Sequence, residues 1–159
     1  MDEFFPLPLA ERHFEDYPVG LVAAYGPAIV TQESIVRFAT EFDPHAMHVD
    51  ADAAADGPFG GIIASGWHTT SIMMRLMVDN YLNERTSLGS PGVDALRFLV
   101  PVRPGDELTA RFEVASARRS ASRPDRGILH TNIELRNQSG DLVMTQTMIN
   151  LVRARNPQA

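Results

Sequence analysis

The sequence predicts an α+β fold in which an antiparallel sheet wraps one central helix. Three observations carry that expectation. Between Gly66 and Asn83 the apolar residues Trp67, Ile72, Met73, Met74, Leu76, Met77, Val78, Tyr81 and Leu82 cover more than one stripe, so the helix they form should be mostly enclosed. Beyond Leu108 the apolar period changes to two. Leu108, Ala110, Phe112 and Val114 alternate with Thr109, Arg111 and Glu113, and Leu129, Thr131, Ile133 and Leu135 alternate with His130, Asn132 and Glu134, as half-buried strands do. Turn-forming residues then punctuate these strands: a long basic hairpin from Arg118 to Gly127, and Asn137-Gln138-Ser139-Gly140-Asp141 before a last strand, Leu142 to Val152.

The remaining elements follow in chain order. Residues 1–19 contain Pro6, Pro8 and Pro18 among mixed charges, which suits an irregular arm lying over the rest. Gly20 to Val30 reads as a strand, and Gly26-Pro27 within it is the kind of interruption found at bulges and sheet edges. Thr31 is a good N-cap for a helix whose Ile35, Phe38, Ala39 and Phe42 share one face at i, i+3, i+4, i+7. That helix should stop at Phe42-Asp43, because Pro44 pushes the residue before it out of the α region, leaving Asp43 to His48 as a loop at a helix end. Residues 50–56 suit a short solvated helix. Gly57-Pro58-Phe59-Gly60-Gly61 is a turn that lets the backbone approach either a ligand or another strand closely. The central helix, placed at residues 66–83, would run about 27 Å. Ser87 to Gly92 breaks the chain before the strands. One helix under a run of meander-spaced strands is a hot-dog architecture. At 159 residues the chain reads as one such domain, 1–159. Its sheet leaves an edge strand open, which pairing with a second copy would cover, so a homodimer or a higher homo-oligomer is expected.

Composition narrows the chemistry. Without cysteine the chain has no disulfide, thiolate nucleophile or thiolate metal site of its own. A formal charge of −6 opposes general nucleic-acid affinity. The acidic, proline-broken start does not read as a signal peptide, and Ile72 to Leu82, interrupted by Arg75 and Asp79, is too short to span a bilayer. A cytoplasmic location without membrane insertion is the expectation.

Two segments offer functional groups. Asp43 and His48 stand five residues apart, and Ser65-Gly66 opens the central helix. An acid/base pair beside a helix N-terminus is equipment for adding or removing water next to a polarised carbonyl. Each residue also has a plainer reading: Asp43 as the polar residue ending a helix, His48 as a structural histidine, Ser65 as an N-cap. His45 and His68 read as supporting or structural residues, and His68, one turn into a helix, as a neutral one. The histidines lack the spacing of a metal-ligand set, so no metal is expected. Arg118, Arg119, Arg123 and Arg126 offer guanidinium forks for phosphate, or a solvated turn. The seven methionines suit core filling, or an adaptable wall to an acyl tunnel.

The chain resembles the MaoC-like dehydratase and R-specific enoyl-CoA hydratase family. The resemblance rests on Phe42-Asp43-Pro44-His45-Ala46-Met47-His48 with Asp50, on Phe59-Gly60-Gly61-Ile62-Ile63-Ala64-Ser65-Gly66-Trp67-His68-Thr69, on the strand Leu96-Arg97-Phe98-Leu99-Val100-Pro101-Val102-Arg103-Pro104-Gly105-Asp106, and on the hairpin Ser122 to Gly127. It implies that Asp43 and His48 position and activate a water and that the Gly66 N–H holds the thioester oxygen, with Ser65 beside it in the substrate-binding segment. It further implies reversible hydration of a 2-enoyl-CoA to a 3-hydroxyacyl-CoA, R-specific, with no cofactor beyond the coenzyme A that the substrate carries. Many members have Asp-x-Asn-Pro-x-His; here His45 stands for the asparagine and Ala46 for the proline. Two alternatives accompany this reading. One is a hot-dog thioesterase, which more often places its carboxylate on the enclosed helix, where Asp79 is the only acidic residue. The other is a non-catalytic acyl-CoA-binding partner subunit.

Overall fold

The computed structural model describes residues 4–156; the first three residues of the expected arm lie outside them. Five strands form one antiparallel sheet in the order β1-β3-β4-β5-β2: β1 (Val22–Ile29), β2 (Gly92–Phe98), β3 (Glu107–Arg119), β4 (Arg126–Arg136) and β5 (Leu142–Arg153). Four helices lie between β1 and β2: α1 (Gln32–Phe42), α2 (Ala46–Val49), α3 (Ala51–Ala55) and α4 (Gly66–Asn80). Along β3 and β4 the period-two residues face inward as expected, and Leu108, Ala110, Phe112, Val114, Leu129, Thr131, Ile133 and Leu135 are all buried. The sheet curves around α4. Tyr81, just past its end, stacks on Phe112 with ring centroids 4.8 Å apart. The Thr70 hydroxyl meets Met144 Sδ at 3.6 Å, and Met73 and Met77 are fully enclosed. This is the hot-dog architecture, and the bulge predicted at Gly26-Pro27 is the register shift between Tyr25 and Ala28.

Four expectations are corrected. The central helix ends at Asn80 rather than Asn83 because the arm captures its last carbonyls. Arg12 donates to the Asn80 carbonyl at 2.8 Å and the Tyr17 hydroxyl to that of Tyr81 at 2.6 Å. Both donors fill the unsatisfied acceptors of a helix C-terminus, and the guanidinium also suits the negative end of its dipole. Asn83 then fastens the arm, donating to the carbonyls of Leu9 and Arg12. Second, α4 is covered on one side only: Trp67 is 60% exposed and Val78 47%. Third, Phe42 is 64% exposed, although its spacing matches the buried Ile35 and Ala39; it is the last residue of α1, and its ring leans on Phe38 of the same helix rather than on the core. Finally, Asp43 to His48 is not wholly loop. His48 sits on the four-residue helix α2, whose shortness leaves no periodic signature in sequence.

The stitch between arm and helix gives a stability test. Tyr17 is fully buried in an edge-on cluster with Phe5 and Tyr81. Tyr17→Phe keeps the ring and strands the Tyr81 carbonyl, so urea unfolding should show a loss of about 1 to 3 kcal/mol with an unchanged slope. A loss below a few tenths would mean the bond contributes nothing net.

Candidate active site

The site forms where α1 ends and α4 begins. Asp43 is the C-cap of α1, its N–H bonded to the Ala39 carbonyl, and Ser65 is the N-cap of α4. The Ser65 hydroxyl donates to Asp43 Oδ2 at 2.7 Å while its oxygen accepts the Trp67 N–H at 3.3 Å. Ser65 is thus both a cap and a partner of the carboxylate. The other oxygen, Oδ1, accepts a short hydrogen bond from His45 Nδ1. These contacts, the Ser65 hydroxyl first and His45 second, hold the Asp43 carboxyl below the ordinary carboxylate range.

His48 is buried, and its Nδ1 lies 2.7 Å from the Ile63 carbonyl. A carbonyl can only accept, so Nδ1 carries a proton, and whenever the ring is neutral it is Nε2 that presents the lone pair. Nε2 lies 3.4 Å from Asp43 Oδ2. Two acceptors that close repel unless a proton lies between or beside them. A water about 2.8 Å from each would donate one hydrogen to each and turn its own lone pairs outward.

His48 also lines an apolar cavity of about 350 Å³ whose lining includes Met47, Ile63, Gly66, Leu99 and Val143. Gly66, first residue of α4, bonds its N–H to no acceptor among the described residues, leaving it as an oriented donor at the positive end of a fifteen-residue helix. The segment is held from both sides. Ile63 N–H donates to the Met47 carbonyl and Ala64 N–H to the Val102 carbonyl, while Arg103 donates to the Phe59 carbonyl at 2.7 Å. The turn before it needs glycine at Gly60 and Gly61, where φ is 63° and 149°.

Asp43, His48, Ser65 and Gly66 are therefore brought together as the sequence placed them. His45 joins them through Asp43, a bond that its place in the motif could have suggested. The Ile63 carbonyl and the Phe98 ring were missed; a backbone acceptor leaves no trace in residue type. His68 stays apart, stacked on Phe38 with centroids 4.9 Å apart, its Nδ1 buried without a partner; burial and then Arg37 lower its pKa, which favours the neutral ring. The arginine hairpin is distant within one chain. Arg126 pairs with Arg153 on β5 and Phe98 with Met144, nine residues apart and so about 30 Å along the strand. There Arg119 bonds Glu15 and Arg126 bonds Asp125. Met73 and Met77 are core, and of the methionines Met47 lines the cavity. Among the described residues no group of three His, Asp or Glu side chains is placed to hold a metal ion, and no helix is long and apolar enough to cross a membrane.

The lowered Asp43 pKa has a signed consequence. The folded state releases this proton at lower pH than the unfolded chain does, so the carboxylate's contribution to stability is present above about pH 4 and lost as pH falls through the folded pKa. Ser65→Ala removes the largest lowering contact. Followed by NMR of the side-chain carboxyl, the Asp43 titration should move to higher pH, and activity should fall less than on removing Asp43 itself. An unmoved titration would show that the hydroxyl does not tune the carboxylate.

Fold and site together define a hot-dog domain with a carboxylate and an imidazole facing an open helix N-terminus. The chain belongs to the family of the MaoC like domain, whose model matches residues 21–133. It is 34% identical over 124 residues to the uncharacterized protein YdeM of Bacillus subtilis, covering 78% of this chain and 86% of that protein. To 3-hydroxyacyl-thioester dehydratase Z of Mycobacterium tuberculosis it is 26% identical over 125 residues, covering 77% and 83%. Among solved structures, the MaoC-like dehydratase from Rhodospirillum rubrum superposes with a TM-score of 0.84 at 37% identity, over 91% of this chain and 99% of that one.

Proposed function

We propose that this chain is a hydro-lyase that adds water to, or removes it from, an acyl thioester, interconverting a 2-enoyl-CoA and its 3-hydroxyacyl-CoA with R specificity. The observation that carries this reading is the placement of Asp43 Oδ2 3.4 Å from Nε2 of His48, which lines a cavity together with Gly66, whose N–H is unbonded among the described residues. The thioester oxygen accepts from Gly66 N–H, which withdraws electrons from C3. The water held by Asp43 and His48 attacks C3 and loses one proton to that pair. The enolate so formed is stabilised by Gly66 and the α4 dipole, and collapses as C2 takes a proton from the same pair. One water is consumed, and H and OH enter from the side where Asp43 and His48 lie, so the addition is syn. The chemistry calls on no cofactor beyond the coenzyme A of the substrate.

A donor placed at a developing oxyanion contributes on the order of 3 to 4 kcal/mol, and a positioned acid/base about 10²- to 10⁴-fold. The thioesterase alternative loses support: Asp79 lies thirteen residues beyond Gly66, about 20 Å along the helix, and is ion-paired with Arg75. We further propose a homodimer, since β2 ends the sheet with its outer edge unpaired and its residues almost all exposed; light scattering after gel filtration tests it. For the activity, crotonyl-CoA is followed by ultraviolet absorbance with a free-thiol assay alongside. Loss of absorbance without thiol is the expected result; thiol release would replace this reading with a thioesterase, and binding without either change with a non-catalytic subunit.

A further inference from the structure

Phe98 is the last residue of β2, and its ring lies over Gly66. A Cβ built on Gly66 would stand 2.5, 2.6 and 2.8 Å from three of its ring carbons, Cε2, Cζ and Cδ2. The ring also meets Trp67 edge-on, with centroids 6.5 Å apart. It lines the same cavity as His48 and Gly66, yet Phe98 is 49% exposed. An aromatic ring is therefore spread over the one face of the helix N-terminus that the absent Cβ leaves open, with its outer side free.

We propose that Phe98 is a specificity-determining residue that excludes substituents at C2 of the thioester substrate. This inference rests on the hydration reading above. A thioester oxygen bonded to Gly66 N–H puts its carbonyl carbon about 3.5 to 4 Å from that nitrogen, next to a ring in van der Waals contact with the same residue. The C2 atom is one bond further on and must lie against the ring or turn from it toward Asp43 and His48. A hydrogen at C2 fits in either case; where C2 lies against the ring, a methyl group adds a carbon where the ring stands. Gly66 is then glycine for two reasons that act together, the approach of the oxygen and the seat of the ring. Trp67 holds the ring from the side, which keeps the slot narrow when no substrate is bound.

The test compares kcat/KM for crotonyl-CoA and for 2-methylcrotonyl-CoA in the unaltered chain, Phe98→Ala and Phe98→Leu. Circular dichroism checks folding. In Phe98→Ala the ratio of branched to unbranched should rise at least about tenfold, the scale on which pockets sense one carbon, and in Phe98→Leu by less. An unchanged ratio in folded Phe98→Ala overturns the proposal. A second pair of variants reads the ring's seat directly: Gly66→Ala should lose activity, and Phe98→Ala in that background should restore part of it. No restoration also overturns the proposal. If the unaltered chain hydrates neither thioester, the hydration reading fails and this inference with it; if crotonyl-CoA is hydrated and the ratio does not move, this inference alone fails.

Discussion

Asp43→Asn should lower hydration of crotonyl-CoA by about 10²-fold or more while leaving the fold intact. Asparagine keeps the shape of the side chain and can still accept from Ser65, but it cannot hold a proton taken from water. With its oxygen kept on Ser65, its N–H₂ takes the place of Oδ1 and can no longer accept from His45. His48→Gln should act on a similar scale. Because one water is proposed to bridge both residues, the double variant should lose little more than the more damaged single one, as groups acting as a unit do. The measurement is single-turnover hydration for the three variants, with melting temperatures to show that each is folded. Near-normal turnover of Asp43→Asn would remove the carboxylate from the chemistry; multiplied losses in the double variant would mean that the two residues do not share a water.

Gly66→Val should be comparably severe. The Cβ of valine would enter the space the Phe98 ring occupies, and its two methyl groups would crowd the approach to the N–H of the same residue. The ring belongs to a half-exposed side chain and can swing aside, so the chain should still fold, with a loss of about 1 to 3 kcal/mol from overpacking. What cannot be recovered is access to the donor, for which a rate loss of about 10² to 10³ is expected. A folded Gly66→Val protein that hydrates crotonyl-CoA as fast as the parent would place the oxyanion donor elsewhere.

The parts of this molecule that were legible in sequence are those where one face is buried along a regular element. The strands β3, β4 and β5 alternate because the sheet has an inner and an outer side, and the cap at Thr31 and the stop before Pro44 are local chemistry. β2 gave no such signal from its residues alone, and the strand expected at Leu96 to Asp106 instead starts at Gly92 and stops at Phe98, before Pro101 and Pro104, which have no N–H to give a ladder. It is an edge with almost no buried position, it carries Ala95 at φ 53°, and its register shifts between Asp94 and Arg97. The end of α4 was misplaced because it is set by Arg12 and Tyr17, far away in sequence. The site divides the same way: Asp43, His48 and Gly66 sit in short ordered motifs, whereas the cavity wall is assembled from the 99–102 segment and Val143 and exists only once the sheet has closed.

The hydrogen bond from Ser65 to Asp43 joins the C-cap of one helix to the N-cap of another. The groups proposed for chemistry are thus carried on helix ends whose spacing is fixed by packed elements, while the wall that would meet the acyl chain is carried by an edge strand and the loop after it. These two parts can change on separate schedules. Residues such as Leu99 and Val100 can be exchanged, and the range of acyl groups with them, without moving the joint proposed to hold water. A fold arranged in this way can acquire new substrates by surface wear at one edge and keep its reaction throughout.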